Sequence, residues 1–520
     1  MRYAIDALRA KEVESNTINN IGVPSLVLME RAALFVYEES LKLYKTGVVA
    51  FCGIGNNGAD GIAAARMLLL DGKKTLVVMV GDISKQSLEN KTQLEIYTKL
   101  GGECLYASPD NIDLDDIFKN IKSRFSDFNL IIDGLFGIGL SREVGGVFRK
   151  TIEFINGLKE DASDKYTVLA VDIASGLSTD TGLALGAAVK ADYTYTFGYT
   201  KLGHLIGDGL KYTVKLLCKD IGIVHDENII NSETGCQVIE EEDSHKLLPV
   251  RDIAGNKGTF GKVLVIAGCQ DMPGAGILAS KSAFKAGCGM VKLLTSCTDR
   301  TSLMTALPET MVTVYGPDFE EDFKAGFDFS DICIIGPGLG KSDLSKNALE
   351  YTVLNYTKTL IIDADGLNIL SDNIELLNKR SEAGYKTIIT PHPGEFKRLF
   401  GCKDKEYQDV NYCKEIASKY GLVLVAKDAR TIVTDGRQAF INISGSDALA
   451  TAGSGDVLTG IIAAMVLGNK ETILVKNVAY GVYLHGAAGS LMGAEETTYS
   501  VTASDIIEGI SRYINQVIKG

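Results

Sequence analysis

The sequence predicts an α/β protein with two domains, each built on a parallel sheet that helices cover on both faces. Short runs rich in valine and isoleucine recur along the chain, and many of them end in glycine or aspartate. Stretches of helix length separate several of these runs, an alternation typical of parallel sheets that are buried on both sides. A chain of 520 residues also exceeds one ordinary hydrophobic core, which favours more than one domain.

The predicted strands fall into two groups. The first half contains five, at 48–55, 75–82, 130–139, 167–176 and 193–198. The second half contains six, at 261–268, 290–295, 332–340, 359–368, 386–396 and 422–428. Between the halves, residues 225–246 are polar and acidic with little periodicity, which favours a linker. We place the boundary near residue 235 and predict domains at 1–224 and 240–520, joined by a linker at 225–239.

Composition excludes several classes of protein. Hydrophobic residues make up 46% and charged residues 23%, as in ordinary globular proteins, and the net charge of −13 argues against a nucleic-acid partner. The ten cysteines form no C-x-x-C pair, which favours free thiols in a reducing compartment. The acidic N-terminal segment has no signal-peptide pattern, and no run reaches the roughly 18 apolar residues that span a membrane. We therefore expect a cytoplasmic protein with no membrane partner.

Polar side chains follow several predicted strands at the point where each strand ends. In open parallel sheets, ligands bind beyond these carboxyl ends, so the residues indicate sites. In the first half they are Asn56, Asn57, Asp60, Asp133, Asp172 and Ser175. In the second half they are Asp363, Asp365, Asn368 and His392, with Gly338 in a glycine turn. The pattern predicts two sites, one in each domain.

The first site has a glycine-rich turn, "GIGNNG", which matches G-x-G-x-x-G between a strand and a helical pattern. A tight turn without a ligand is the alternative, although the amide and acid side chains crowded there favour a ligand. Asp133 and Asp172 could simply cap helices. Taken together with Asn57 and Ser175, they form an oxygen-rich cluster that suits a hard cation or proton transfer.

Five segments of the first half resemble the NAD(P)H-hydrate epimerase domain, a Rossmann-like three-layer sandwich. They are "LMERAA" (28–33), "CGIGNNGADG" (52–61), "LIIDGLFGIGLSREVGG" (130–146), "VDIASGLSTDTG" (171–182) and "AVKADYTYTFGYTKLGH" (188–204). The resemblance implies that this domain interconverts the R and S epimers of hydrated NAD(P)H, here called NAD(P)HX. It implies that Asp172 contacts the altered ring and serves as acid and base, and that a potassium ion is held by Asn57, Asp133 and Ser175. Contacts with the dinucleotide would come from Asn56, Asn57, Gly58, Ala59, Asp60, Gly137, Ile138, Gly139, Leu140, Ser141, Arg142 and Glu143.

The second site centres on "TAGSGDVLTGII", residues 451–462, where an acid follows two glycines at the start of an apolar helical pattern. Asp456 therefore lies in a first helical turn, whose free N–H groups favour an anion. This placement suggests phosphoryl transfer with a carboxylate base. The alternative is an ordinary helix start in which Ser454 is the cap. No G-x-x-x-x-G-K-[ST] motif occurs, so a P-loop is unsupported.

Residues from about 240 to 516 resemble the ADP/ATP-dependent NAD(P)H-hydrate dehydratase, a ribokinase-like three-layer domain. The motifs are "GPGLG", "DADGLN", "TPHPGEF" and "AGSGDVLTGII". The resemblance implies that ADP or ATP, with Mg²⁺, phosphorylates the C6 hydroxyl of NAD(P)HX and that the ring nitrogen then expels phosphate. Asp456 would be the base, and the substrate would contact Ala275, Gly338, His392 and Asp456. The nucleotide would contact Lys427, Asp428, Ala429, Arg430, Thr431 and Gly455.

Several positions depart from these family patterns. Ala59 and Ala174 replace a usual glycine and proline in the first domain. Asp428 replaces a usual glycine beside the expected phosphates, and Gly255 and Asn256 replace a Ser-His pair. Two other hypotheses stay open: a ribokinase-like kinase for a vitamin precursor or sugar, and a first domain that only senses dinucleotides. We expect small-molecule substrates and a homo-oligomer.

Overall fold

The computed structural model describes residues 1–108, 114–125, 127–162, 165–403, 405–469 and 472–519. The chain folds into two compact units, one formed by Tyr3–Gly235 and the other by Cys236–Gly520 with Met1–Arg2. Among the described residues, no helix combines the length and the apolar character needed to cross a membrane.

The N-terminal unit alternates strands and helices. Its strands are β1 (Arg2–Ile5), β2 (Val48–Cys52), β3 (Thr75–Val80), β4 (Glu103–Ala107), β5 (Leu130–Gly134), β6 (Thr167–Val171), β7 (Ala191–Phe197), β8 (Thr200–Lys201) and β9 (Thr213–Lys219). Its helices are α1 (Ala7–Ser15), α2 (Ser25–Leu43), α3 (Asn56–Leu70), α4 (Leu88–Lys99), α5 (Leu114–Arg124), α6 (Gly146–Asp161), α7 (Leu202–Leu205) and α8 (Gly209–Tyr212). Short helical turns lie at Asn16–Asn20 and Ile83–Lys85.

Seven of these strands form one parallel sheet in the order β4-β3-β2-β5-β6-β7-β9. Val48 of β2 pairs with Thr75 of β3 on one side and with Leu130 of β5 on the other. The strand order therefore reverses between β2 and β5, and ligands of open α/β sheets bind at such a switch point. β1 and β8 pair in parallel with each other, with Ile5 opposite Lys201.

The C-terminal unit is larger. Its strands are β10 (Cys236–Val238), β11 (Lys262–Ile266), β12 (Met290–Thr295), β13 (Met311–Val314), β14 (Ile332–Ile335), β15 (Thr359–Ile362), β16 (Thr387–Ile389), β17 (Val423–Ala426), β18 (Ile432–Thr434) and β19 (Ala439–Ile441). Its helices are α9 (Ser244–Leu247), α10 (Pro273–Lys285), α11 (Arg300–Ala306), α12 (Glu320–Phe329), α13 (Asp343–Asn355), α14 (Asp365–Leu370), α15 (Glu375–Glu382), α16 (Pro393–Phe400), α17 (Val410–Tyr420), α18 (Ser454–Gly468), α19 (Leu474–Glu495) and α20 (Ala503–Lys519). Three short turns lie at Glu241–Asp243, Glu406–Gln408 and Asp447–Leu449.

The strands of this unit run in the order β13-β12-β11-β14-β15-β16-β17-β18-β19-β10. From β13 to β17 neighbouring strands are parallel, and the apolar runs of β14 to β17 are buried on both faces. β17, β18 and β19 are antiparallel, and β10 pairs in parallel with β19. The switch point of this sheet lies between β11 and β14. The two units together confirm the predicted α/β class with parallel sheets flanked by helices.

Candidate active sites

A cavity of about 770 Å³ in the N-terminal unit is lined by residues that follow β2, β5 and β6. The turn after β2 is tight, because a Cβ on Gly58 would lie 2.0 Å from the carbonyl oxygen of Gly53. Glycine is therefore required at this position, and only residues 53–55 separate the end of β2 from the start of α3 at Asn56. The sequence pattern G-x-G-x-x-G thus corresponds to close packing at the switch point.

Ten of the residues expected to contact the dinucleotide or its ring line this cavity. They are Asn56, Asn57, Asp60, Gly137, Ile138, Gly139, Leu140, Ser141, Arg142 and Asp172. Three others do not line it. Gly58 and Ala59 are buried in the first turn of α3, and Glu143 is exposed outside the lining. The methyl group of Ala59 is therefore fully buried and does not form part of the cavity wall.

Asp172 has the backbone conformation of a strained residue, with φ at 63°. Its Oδ1 accepts hydrogen bonds from Lys201 Nζ at 2.5 Å and from Thr196 Oγ1 at 2.8 Å. Its carbonyl oxygen lies 3.0 Å from His204 Nε2. Lys201 Nζ also donates to Thr196 Oγ1 and to the carbonyl of Phe197. Strain of this kind persists where surrounding contacts over-determine the conformation, and it clusters at functional sites.

These contacts set the protonation state of the Asp172 carboxyl. Burial opposes ionisation of Asp172, but the ammonium of Lys201 and the hydroxyl of Thr196 outweigh it and hold the pKa of the carboxyl below its usual value. Burial lowers the pKa of His204 to about 3, so its imidazole is neutral. Because His204 Nδ1 accepts from the backbone N–H of Lys201, its Nε2 carries the proton and donates to the Asp172 carbonyl. Asp172 is therefore an ionised carboxylate in a fixed orientation.

The side chains of Asn57, Asp133 and Ser175 gather around the backbone of residues 135–136, where Asp133 Oδ1 accepts from Leu135 N at 3.3 Å. Phe136 N donates to Ser175 Oγ at 2.9 Å, and Asn57 Nδ2 donates to Phe136 O at 2.8 Å. Asp133 Oδ2 accepts from Ser175 N at 2.8 Å. Burial raises the pKa of Asp133 to about 6. The structure thus brings together the three residues that sequence reasoning grouped.

In the C-terminal unit, α18 begins without a side-chain cap. Its N-cap is Gly453, with φ at 83°, which glycine adopts readily. Ser454 does not cap the helix, because its Oγ lies 3.2 Å from His485 Nε2 on α19 and both side chains are buried. The outward N–H groups of a helix of 15 residues are therefore left for another partner, and such an end favours an anion.

Lys427 and Asp363 lie beside this helix end. Lys427 Nζ donates to Asp363 Oδ1 at 2.8 Å. A Cβ on Gly455 would lie 3.4 Å from Lys427 Nζ and 3.6 Å from Asp363 Oδ2, so the loop, the lysine and the acid are in contact. Burial, together with the charge of Asp363, raises the pKa of Asp456 to about 7, although Lys427 lowers it. Asp456 is thus poised between its two protonation states at neutral pH.

His392 is the N-cap of α16, where its Nδ1 accepts from the backbone N–H of Gly394 at 3.0 Å. Its Nε2 therefore carries the proton and lies 3.3 Å from Glu395 Oε1. Glu395 is a further acid near Lys427 and Asp363, and burial raises its pKa to about 7. The histidine expected at the site therefore lies beside Glu395, an acid that sequence reasoning missed.

The expected nucleotide-binding segment, residues 427–431, forms the turn between β17 and β18. Arg430 Nη1 donates to the carbonyl of Ile443 at 2.8 Å, and Thr431 Oγ1 donates to the carbonyl of Asp428. Asp428, the residue that replaces a usual glycine, accepts a hydrogen bond from Gln408 Nε2 at 2.5 Å. Its negative charge is therefore partly satisfied by an amide outside the turn.

Ala275 and Gly338 lie against each other at the switch point. A Cβ on Gly338, whose φ is 56°, would lie 2.8 Å from Ala275 Cβ, so only glycine fits. In the same turn, a Cβ on Gly336 would lie 2.0 Å from the carbonyl of Asp363. This packing links the expected substrate residues with the acid that pairs with Lys427.

Sequence reasoning missed Lys201, Thr196 and His204, which hold Asp172. All three lie in the quoted segment 188–204, so an acid at one strand end could have prompted a search for its counter-ion there. It also missed His485, which lies on a helix too uniformly apolar to distinguish a functional face.

Two sites of this kind, each with a held carboxylate beside a lysine at the carboxyl edge of a sheet, define a two-site α/β enzyme. The family model described as NAD(P)H-hydrate dehydratase matches residues 263–512, and the one described as YjeF-related protein N-terminus matches residues 25–203. The chain is 33% identical to the bifunctional NAD(P)H-hydrate repair enzyme Nnr of Moorella thermoacetica, over 97% of this chain and 95% of that protein.

The same enzyme of Escherichia coli strain K12 is also 33% identical, over 99% of this chain and 93% of that protein. A solved structure of the ADP/ATP-dependent NAD(P)H-hydrate dehydratase from Bacillus subtilis, co-crystallized with ATP and Mg²⁺, is 29% identical, with a TM-score of 0.46, over 54% of this chain and 97% of that one. The chain belongs to the family of bifunctional NAD(P)H-hydrate repair enzymes.

Proposed function

We propose that residues 1–224 interconvert R and S NAD(P)HX and that residues 240–520 dehydrate S-NAD(P)HX to NAD(P)H at the expense of ADP or ATP. The observation that carries this proposal is Asp456, a carboxyl with a pKa of about 7 at the uncapped start of α18. A base suited to neutral pH and an anion-binding helix end are what phosphoryl transfer to a hydroxyl requires. The cavity of the N-terminal unit is the proposed site of the other activity, the interconversion of the two epimers.

In the first unit, the cavity accepts the hydrated ring and part of the dinucleotide. The amides of Asn56 and Asn57 and the guanidinium of Arg142 offer hydrogen bonds to the polar groups of such a ligand. Asp172 faces this cavity as a carboxylate, and Lys201, Thr196 and the His204 bond keep it in place. It takes the proton of the C6 hydroxyl and returns it after the configuration at C6 has changed.

Potassium fits the cluster of Asn57, Asp133 and Ser175. Asp133 is fully buried and has no lysine or arginine partner in the described parts of the chain. Hydroxyl, amide and carboxylate oxygens are the ligands that hard cations prefer. An ion bound there would supply the positive charge that the buried carboxylate lacks, while Asn57 and Ser175 hold the backbone of Phe136 beside the cavity.

In the second unit, Asp456 takes the proton of the C6 hydroxyl as that oxygen attacks the terminal phosphoryl group of the nucleotide. The N–H groups at the start of α18 and the ammonium of Lys427 stabilise the charge that develops. The lone pair of the ring nitrogen then expels phosphate, and loss of a C5 proton restores the dihydropyridine. Ala275, Gly338 and His392 contact the substrate, and the turn 427–431 with Gly455 contacts the nucleotide.

Magnesium fits this unit as an ion carried by the nucleotide. No group of three or more His, Cys, Asp or Glu side chains in the described ranges is arranged to hold a metal. Mg²⁺ commonly keeps several waters and binds through substrate phosphates with one or two carboxylates. It supplies charge neutralisation on the phosphates. A homo-oligomeric, cytoplasmic enzyme stays a prediction.

Two substitutions test the proposal, one in each unit. We expect Asp456→Asn to abolish nucleotide-dependent recovery of dihydropyridine absorbance from S-NADHX, because the amide cannot take a proton. We expect Asp172→Asn to leave that recovery intact but to confine it to the S epimer, so that the R epimer disappears only at its spontaneous rate. The two variants serve as matched controls, since each retains the other activity. Recovery by Asp456→Asn at the wild-type rate would overturn the proposed dehydratase mechanism.

A further inference from the structure

Helix α1 forms part of the wall of the N-terminal cavity. β1 pairs with β8 so that Ile5 lies opposite Lys201, and α1 begins directly afterwards, with Asp6 Oδ1 accepting from Arg9 N at 2.7 Å. One face of this helix lines the cavity through Ala10, Lys11, Val13 and Glu14. Val13 is buried in a small apolar cluster that fixes this face. The strand pairing thus brings a segment from the start of the chain to the site of Asp172.

Glu14 is a half-buried carboxyl in that wall and accepts no hydrogen bond from the residues described. The charged groups that face it are Asp172 after β6, Lys201 in β8, Glu89 on α4 and Asp60 on α3. Lys201 is the one cation among these four groups, and all three hydrogens of its ammonium are donated to residues other than Glu14. Lys201 Nζ donates to Asp172, to the Thr196 hydroxyl and to the Phe197 carbonyl.

Two carboxyls of one cavity therefore have opposite environments. Burial and the charge of Asp172 raise the pKa of Glu14, whereas Lys201 and Thr196 hold the pKa of Asp172 below its usual value despite its burial. When surroundings separate the pKa values of two neighbouring acids in this way, one serves as proton donor and the other as base. Asp60 lies on α3 among the residues expected to contact the dinucleotide, and burial raises its pKa well above the usual value.

We propose that Glu14 is a second catalytic carboxyl of epimerisation, the acid that protonates the ring nitrogen N1 of NAD(P)HX while Asp172 takes the proton of the C6 hydroxyl. The inference rests on the proposed function of this cavity. It follows from the position of Glu14 in the cavity wall and from the absence of any competing partner in the described chain.

The step balances without a further reactant. Asp172 removes the hydroxyl proton, and the electron pair of the broken O–H bond forms the C6=O double bond of an aldehyde. The C6–N1 bond breaks with its electron pair going to N1, and N1 receives the proton of Glu14. Rotation about the C5–C6 bond presents the opposite face of the aldehyde. N1 then returns its proton to Glu14 as it attacks C6, and the new alkoxide regains the proton of Asp172. Both carboxyls are restored in each turnover, and only the configuration at C6 has changed.

The test compares three variants of the full chain with wild type: Glu14→Gln, Glu14→Asp and the control Glu12→Gln. Glu12 lies on the same helix but pairs with Arg9 at 2.7 Å and does not line the cavity. Epimerisation is followed without nucleotide by chromatographic separation of R and S NADHX. Dehydration is followed separately from S-NADHX with ADP or ATP, and calorimetry reports folding.

We expect Glu14→Gln to slow epimerisation by about 100-fold or more, the range for loss of a general acid. Glu14→Asp keeps the acid but withdraws it by one methylene, so it should lose about tenfold with its thermal unfolding unchanged. Glu12→Gln should epimerise within about twofold of wild type, and all three should dehydrate S-NADHX normally.

Epimerisation by Glu14→Gln within about threefold of wild type would overturn the inference and leave the proposed function standing. If Glu14→Gln does not fold, Glu14→Asp decides, because an undiminished rate in that variant excludes a positioned acid. Wild-type protein that fails to exceed the spontaneous epimerisation rate would instead overturn the proposed function, and the inference with it.

Discussion

Replacing Lys201 with methionine removes the cation that faces Asp172 while nearly keeping the length of the side chain. The Lys201 ammonium and the Asp172 carboxylate form an ion pair at 2.5 Å. Both are shielded from water, with 5% of the Lys201 side chain and 14% of the Asp172 side chain exposed. Removing one partner of a buried pair costs about 3–5 kcal/mol, because the other charge remains buried without compensation. We expect Lys201→Met to lower the free energy of unfolding of the N-terminal unit by about that amount near neutral pH.

The cost should depend on pH in a defined direction. In the native protein the pKa of Asp172 lies below its usual value of 3.8, so this group stabilises the fold above that pH and the contribution is lost as pH falls through the native pKa. Without Lys201, burial dominates and the pKa of the carboxyl rises. The variant then takes up a proton on acidification, which relieves the buried charge. The difference from wild type should therefore shrink between neutral pH and about pH 5.

Scanning calorimetry of Lys201→Met and of the double variant Lys201→Met/Asp172→Asn measures this effect. The double variant should recover much of the lost stability, because a neutral amide replaces the uncompensated charge. The transition that shifts in the single variant identifies the N-terminal unit. If the single variant is equally destabilised at both pH values and the amide restores nothing, Lys201 does not act as the counter-ion of Asp172.

Two further predictions concern the C-terminal unit. The pKa of Asp456 is about 7, and the base must be ionised. We therefore expect kcat/KM for nucleotide-dependent dehydration of S-NADHX to rise as pH increases through about 7 and then to level off. A profile that is flat from acid to alkaline pH would exclude Asp456 as the base. Arg380 is buried and donates to the Thr387 hydroxyl and to four main-chain carbonyls. We expect Arg380→Met to lower the free energy of unfolding, measured in urea, by about 3 kcal/mol or more, because these acceptors lose their donor. A loss below about 1 kcal/mol would contradict this reasoning.

The sequence predicted the features that depend on local pattern. The run "VVAFC" is a buried strand, and Asn57, Asp133 and Ser175 meet because parallel strands end at a common edge. The antiparallel strands β18 and β19 were not predicted as part of the sheet. Each has only three residues, too few for a periodic signal.

What sequence reasoning missed depends on contacts between distant segments. The pairing of Ile5 with Lys201 joins residues almost two hundred positions apart through a strand of only two residues, so no local pattern announces it. The same pairing brings Glu14 and Lys201 to one cavity. Likewise, the sequence left open whether Ser454 caps α18. The choice depends on His485, which reaches Ser454 from another helix.

The two proposed bases differ in strength for a reason that lies in the partner of each lysine. In the first unit the lysine bonds the catalytic carboxylate itself, which lowers the pKa of Asp172 and makes it the weaker base, and Glu14 is inferred to assist it as an acid. In the second unit Lys427 bonds Asp363 instead, so Asp456 keeps a raised pKa and attracts the hydroxyl proton more strongly. Breaking a C–N bond needs a proton on the departing nitrogen, whereas attack on phosphorus needs a more nucleophilic oxygen. The placement of one ion pair in each unit thus matches the base to the bond that must change.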